Sequence, residues 1–303
     1  MRSKLSFFLV VLFLAALLSG CGTTQGHYQP TQPVEGVPPE SVPDSVEEVT
    51  APPIEDSAAP EPVPTPTPEP VPTPEPAPTA PPYQFGVPLE EREPVEDDSC
   101  FENAVFLGDS RTEGLQLFGG LGYGTFYWAR GMSVFTADDE DGHKVFDVNG
   151  EKCTLVGTLS KRSYDAVYIM IGVNELGYPA ESYETGLSEL VDKVLAAQPE
   201  AVVYLQLMPP LNDAMCQANK LADYINNDNL GRFNDAITRV AEEKRVVLLN
   251  TAEAYTGEDG QLPAELANDG CHFAYGAYTL WADYLRSHVM DREQYLQSRR
   301  QAG

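Results

Sequence analysis

Apolar residues recur in two rhythms along the second half of the chain. Short runs at 104–107, 125–128, 166–171, 201–207 and 246–249 carry consecutive apolar positions without strict alternation. That pattern predicts parallel strands covered on both faces. Between the third and fourth runs, Tyr183, Leu187, Leu190, Val191, Val194 and Leu195 fall on one face of a helix over 181–198. Phe233, Ile237 and Val240 mark another before the fifth run, and Leu280, Trp281, Tyr284 and Leu285 face inward on a last helix over 275–289. His288 falls inside that last helix at a position predicted to meet solvent. Strand and helix in alternation predict a three-layer α/β fold with a mainly parallel sheet of five strands. One insertion breaks the rhythm. Residues 144–148 and 151–155 flank Asn149-Gly150, a type I′ turn signal that predicts a small β-hairpin. It lies between the second strand and the next helix, where an added element would border a pocket.

The first half reads differently. Residues 1–21 have a short basic start (Arg2, Lys4), an apolar run over 5–18, and the ending Leu18-Ser19-Gly20-Cys21. The run is too short to span a bilayer as a mature helix, and it reads as a signal peptide. Its ending resembles a bacterial lipobox, which implies lipidation of Cys21. An ordinary secretory signal with a chance cysteine is the plainer alternative. Two acyl chains on Cys21 would hold the chain at a membrane, each buried CH₂ contributing ~0.8 kcal/mol. Residues 22–98 are dominated by Pro, Glu, Thr and Val with few aromatics and a single arginine, Arg92. Alternating prolines over 60–82 forbid helix and remove sheet donors. The expected state is a disordered, extended linker, its central stretch reaching on the order of 70 Å at ~3.1 Å per residue. Such a linker would act as a stalk, holding the domain over 99–303 away from an extracytoplasmic membrane surface.

The formal charge of −27 is spread over both halves. It excludes a nucleic-acid binder, which needs a basic patch, and disfavours docking flat on anionic lipid. Five cysteines occur, Cys21, Cys100, Cys153, Cys216 and Cys271. No CxxC or Cys/His pattern of a zinc site appears, and the patches described next make up chemistry for which no metal and no cofactor are expected. The last four cysteines allow disulfides that spacing cannot pair, and they read equally well as small buried hydrophobes.

Four short patches carry candidate chemistry. Ser110, in Gly108-Asp109-Ser110, follows the first strand, where open α/β sheets bind ligands. The plainer reading is a helix N-cap. Gly131 follows the second strand and Asn174 the third, which puts both on the same sheet edge as Ser110. A glycine amide approaches a ligand closely, and an asparagine amide donates at fixed reach. Either residue alone would pass for a turn. His272 lies three residues after Asp269, close enough for the carboxylate to fix the ring's tautomer. Of the other histidines in this domain, His143 follows an acidic run over 138–141 in the insertion, and His288 falls inside the last helix.

Taken in order, Gly108-Asp109-Ser110, Gly131, Gly172-Val173-Asn174-Glu175 and Asp269-Gly270-Cys271-His272 resemble the motif blocks of the SGNH hydrolase superfamily, the GDSL esterases. The resemblance spans nearly the whole domain and none of the linker. It implies a flavodoxin-like sandwich with five parallel strands. It further implies Ser110 as nucleophile, Asp269 and His272 as its partners, and an oxyanion hole from Ser110, Gly131 and Asn174. The fourth letter of the GDSL motif is Arg111 here, a charge expected beside the nucleophile, where it would shape the acyl or alcohol site. The function implied is that of a serine esterase without cofactor, acting on an acyl ester. The stalk points to a fixed substrate such as an O-acetylated glycan. A lipase or lysophospholipase and a non-catalytic binding module on the same fold are the rival readings.

Overall fold

The five apolar runs form five strands of one sheet. They are β1 (Ala104–Gly108), β2 (Thr125–Trp128), β5 (Ala166–Met170), β6 (Val202–Gln206) and β7 (Val247–Leu249), while β3 (Phe146–Val148) and β4 (Glu151–Cys153) make the insertion. A computed structural model describes residues 81–141 and 143–302. The predicted signal peptide, Cys21 and the linker up to residue 80 lie outside the described residues.

The sheet order is β2-β1-β5-β6-β7, and every neighbouring pair is parallel. The chain leaves β1 to one side for β2 and returns to the other for β5. That reversal is a topological switch point, and open α/β sheets bind ligands beside the carboxyl ends of the strands there.

Successive side chains of each strand enter opposite layers. Val105, Leu107, Val167, Ile169, Val203 and Leu205 enter one core. It is closed by α2 (Leu155–Thr158), α3 (Ala180–Ala197) and α5 (Asn227–Lys244). Phe106, Tyr168, Tyr204 and Leu249 enter the other. That face is covered by α1 (Ser110–Phe118), α6 (Tyr278–Ser287) and α7 (Arg292–Gln301). Parallel register sets Phe126, Phe106, Tyr168 and Tyr204 side by side across four strands. Their rings stack with centroids 4.6, 4.8 and 4.3 Å apart, each aromatic pair contributing ~1 kcal/mol beyond its burial. A short helix, α4 (Asp213–Ala218), follows β6.

The hairpin forms as predicted, with Asn149 at φ 55° and Gly150 at φ 82° in its turn. It does not border the clefts of the candidate site described below. Phe146 instead turns inward against Tyr127, ring centroids 5.6 Å apart.

Three expectations need correction. The last helix ends at Ser287, and His288 is its buried cap rather than a solvent-facing residue. The His288 ring stacks on Tyr284 at 3.8 Å, and its Nδ1 meets the Tyr284 carbonyl at 2.8 Å. Beyond it runs α7, whose residues are polar except for a few such as the buried Tyr295, so no apolar period announced it. The third correction concerns the boundary at 99. Residues from Tyr83 onward already pack on the domain. Leu89 N–H donates to Leu248 O at 2.8 Å, Arg92 N–H to Ser287 O at 2.8 Å, and Arg286 clamps Asp98 through two bonds of 2.8 and 2.9 Å. This strap pairs with β7 at Pro88 and covers an otherwise bare sheet edge. The four cysteines in the described residues are free.

Candidate active site

β1 ends in a turn so tight that a Cβ on Gly108 would lie 1.9 Å from Thr112 Oγ1 and 2.7 Å from the Met170 carbonyl. Asp109, in extended conformation, caps α1 by accepting from Arg111 N–H at 2.9 Å. The capping role is therefore taken by Asp109. Ser110 is the first helical residue, its hydroxyl left available. Ser110 Oγ lies 2.8 Å from His272 Nε2. On the ring's other side, His272 Nδ1 lies 2.8 Å from Asp269 Oδ2. A carboxylate there accepts the Nδ1 proton, which leaves the Nε2 lone pair facing the serine hydroxyl. Asp269 Oδ1 accepts the Cys271 and His272 amides at 2.8 and 2.7 Å. Burial works to raise this carboxyl, but the bonds from His272 and the two amides outweigh it and hold it well below the usual carboxylate range.

The loop carrying Asp269 and His272 is tied to its surroundings by backbone bonds. Asn212 N–H donates to Gly270 O at 2.9 Å, and Asn268 N–H to His272 O at 2.8 Å. Gly131 follows β2 at φ 76°, a conformation that costs other residues free energy. Among the described residues, neither the Ser110 nor the Gly131 amide has an acceptor. Asn174 sits in a 3-10 turn after β5 (Val173–Glu175). Its Nδ2 donates to Met132 O at 2.9 Å and to Asp109 Oδ2 at 3.2 Å. The five residues singled out in the sequence thus meet at the carboxyl ends of β1, β2 and β5. His143 stands apart in the insertion.

The model of the GDSL-like lipase/acylhydrolase family matches residues 106–280, from within β1 into α6. The chain belongs to the GDSL-like lipase/acylhydrolase family. Members hydrolyse acyl esters, and the matched span includes Ser110, Gly131, Asn174, Asp269 and His272. Several solved structures are similar to it. A candidate platelet activating factor from Streptococcus pneumonia is 22% identical with a TM-score of 0.48, over 63% of this chain and 83% of that one. A GDSL-like lipase from Bacteroides thetaiotaomicron is 16% identical at 0.46, over 64% and 89%. A psychrotrophic esterase from Pseudoalteromonas is 17% identical at 0.44, over 64% and 99%. At these identities no residue role passes from them to this chain. No curated protein matches.

Beneath this GDSL-family site lies a layer of buried charge for which the sequence carried no clear signal. Arg111 does not face the cleft, as its place in the motif implied, but is fully buried. Its Nε and Nη2 donate to Cys271 O at 3.1 and 2.8 Å, its Nη1 donates to Pro209 O at 3.2 Å, and its guanidinium lies 5.2 Å from the Phe273 ring centroid. It therefore bolts the helix start that carries Ser110 to the loop that carries His272. Asp109 is buried beside it. Burial pushes that carboxyl up, partly offset by the Arg111 amide and guanidinium. Glu175 is fully buried as well, and its Oε1 accepts Val134 N–H at 2.6 Å. Burial, joined by the nearby Asp109 charge, pushes it up to about 8 against the pull of the Val134 amide. Glu175 Oε2 has no partner among the described residues, which suits a protonated carboxyl better than a charged one. Side chains 174 and 175 together staple the 131–134 loop, and with it the Gly131 amide, to the end of β5.

Two hollows meet at Ser110 and His272. One is an open cleft of 500 Å³, lined by Leu117, Phe118, Arg130, Gly131, Asn268 and Tyr275 among others. The other is a recess of 170 Å³ lined by Val173, Leu221, Tyr224, Ile225 and Cys271.

Proposed function

We propose that this chain is a serine esterase for short acyl groups, with Ser110, His272 and Asp269 as its catalytic residues. The observation that carries the reading is the unbroken relay from Ser110 Oγ through His272 to Asp269, two links of 2.8 Å each. Ser110 Oγ attacks the ester carbonyl carbon while His272 Nε2 takes its proton. The carbonyl oxygen gains the negative charge and is met by the free amides of Ser110 and Gly131 and by Asn174 Nδ2. Asn174 turns to it by giving up its weaker 3.2 Å bond to Asp109. As the tetrahedral centre collapses, His272 returns the proton to the departing alcohol oxygen, and an acyl ester remains on Ser110. Water, deprotonated by His272, then attacks the acyl carbon, and Ser110 leaves with the proton. Asp269 stays ionised throughout and stabilises the imidazolium.

The recess of 170 Å³ supports a short acyl group. The lipobox-like ending at Cys21 and the proline-rich stretch support a surface-held enzyme whose substrate is a fixed glycan ester, such as O-acetyl on a wall polymer. Hydrolysis of p-nitrophenyl acetate, butyrate and octanoate by the full chain and by Ser110→Ala tests the chemistry. The wild type is expected to favour acetate and the variant to lose nearly all turnover. Equal rates would remove the serine mechanism, and a preference for octanoate would replace the short-acyl reading with a lipase.

A further inference from the structure

The open cleft beside Ser110 is floored by apolar side chains that the fold leaves uncovered. Leu117, Phe118 and Tyr275 are 59%, 39% and 67% exposed, an unusual cost for large apolar groups clustered together. Phe118 comes from the last turn of α1, and Tyr275 opens the 3-10 turn that leads into α6. Their ring centroids are 4.5 Å apart and their planes differ by 34°, so the rings lean face against face, and Tyr275, the more exposed of the two, caps the pair and forms the open shelf. Tyr278 supports it from below, its ring 6.0 Å from that of Phe118. The rim is polar. Arg130 donates to both oxygens of Glu113 at 2.6 and 2.8 Å and remains largely exposed, and Asn268 lines the same cleft.

The geometry points to this shelf as a carbohydrate subsite, which seats the sugar that bears the scissile acyl group. A pyranose ring has one face of C–H bonds and an edge of hydroxyls. The exposed aromatic surface of the Tyr275–Phe118 pair takes the first, and fixed guanidinium, carboxylate and amide groups take the second. A long acyl chain would offer no partner to Glu113, Arg130 and Asn268, which line the same cleft. The recess across Ser110 is walled by Val173, Leu221, Ile225 and Cys271 and suits the acyl group. The sugar oxygen then departs toward the shelf, on the side where His272 also lines the cleft.

This inference rests on the esterase reading and is tested so that the two fail separately. The full chain, Phe118→Ala, Tyr275→Ala and the double variant are assayed on two esters of one acyl group, O-acetylated xylotriose and ethyl acetate. Neither ring is part of the proposed catalytic machinery. The double variant is expected to lose about tenfold in kcat/KM on the acetylated sugar, chiefly through KM, as loss of the one aromatic platform predicts. On ethyl acetate it should match the wild type. Equal losses on both esters, or no loss on either, overturn the shelf. So does a loss confined to p-nitrophenyl octanoate, which assigns the rings to a lipid chain. If the wild type hydrolyses neither ester, the esterase reading has failed. The shelf is then decided by calorimetric binding of acetylated xylotriose to the wild type and the double variant. Weaker binding by the variant supports it, and equal or absent binding overturns it.

Discussion

The two sides of the proposed catalytic centre differ in what they do with charge. On the solvent side, Ser110, His272 and Asp269 are half-buried and joined end to end, the path along which the proposed mechanism moves a proton. On the underside, Asp109, Arg111 and Glu175 are sealed from water and bonded almost entirely to backbone. A buried charge costs several kcal/mol unless it is fully paired. That cost secures placement: the helix start with Ser110, the loop with His272 and the loop with Gly131 are each pinned by one of these groups. The upper layer is where chemistry is proposed, and the lower one fixes its distances.

Substitutions should separate the layers. Ser110→Ala or His272→Ala is expected to cut kcat by about 10⁴-fold and leave the melting temperature unchanged. A comparable drop in melting temperature would make the upper layer structural. Asn174→Ala should cost about 10²- to 10³-fold in kcat with little change in KM; it also loosens the 131–134 loop, so steady-state kinetics are read beside thermal melts. Arg111→Leu, which restores the residue of the family motif, should act in the reverse order. Removing the guanidinium leaves the carbonyls of Cys271 and Pro209 and the Asp109 carboxyl without it, for a loss of about 3 kcal/mol in urea unfolding and a smaller fall in kcat. Wild-type stability in that variant would show that the bolt is dispensable.

Glu175→Gln should have the smallest effect near neutrality and the clearest signature in pH. The folded carboxyl titrates at about 8 and the unfolded one at 4.5. Between these values the unfolded chain has lost a proton that the folded chain keeps, so stability falls as pH rises from about 4.5 to about 8. The Gln variant should lack that share of the slope. Asp109, also raised, contributes in the same sense and persists in the variant. Above pH 8 an ionised Glu175 faces Asp109 and the Tyr183 hydroxyl, and wild-type activity should decline where the variant holds. Parallel pH profiles of the two proteins would dismiss the effect.

Much of this architecture was readable from the residues. The strands announced themselves because each is a short apolar run, buried on both faces in β1, β5, β6 and β7 and half-buried in the edge strand β2. Of the five candidate site residues, Ser110, Gly131 and Asn174 stood out by following strand ends, and Asp269 and His272 by their spacing of three residues. The underside was not. Arg111 reads as an exposed charge, since the carbonyls that receive it belong to residues 209 and 271, far along the chain. The burial of His288 depends in the same way on its packing against Tyr284. α7 escaped notice because Tyr295 is nearly alone in anchoring it. The strap was hidden by its prolines, although Tyr83, Phe85 and Leu89 were the available signs. The Phe85 ring meets Tyr295 edge-on at 6.3 Å.

The strap also has a mechanical meaning. Any pull arriving along the backbone from residues before 81 must first peel the bonds at Leu89, Arg92 and Asp98, which lie along β7 and α6. Those contacts stand between such traction and the strands that hold the serine, so tension would be spent in unfastening the strap before it deformed the catalytic edge.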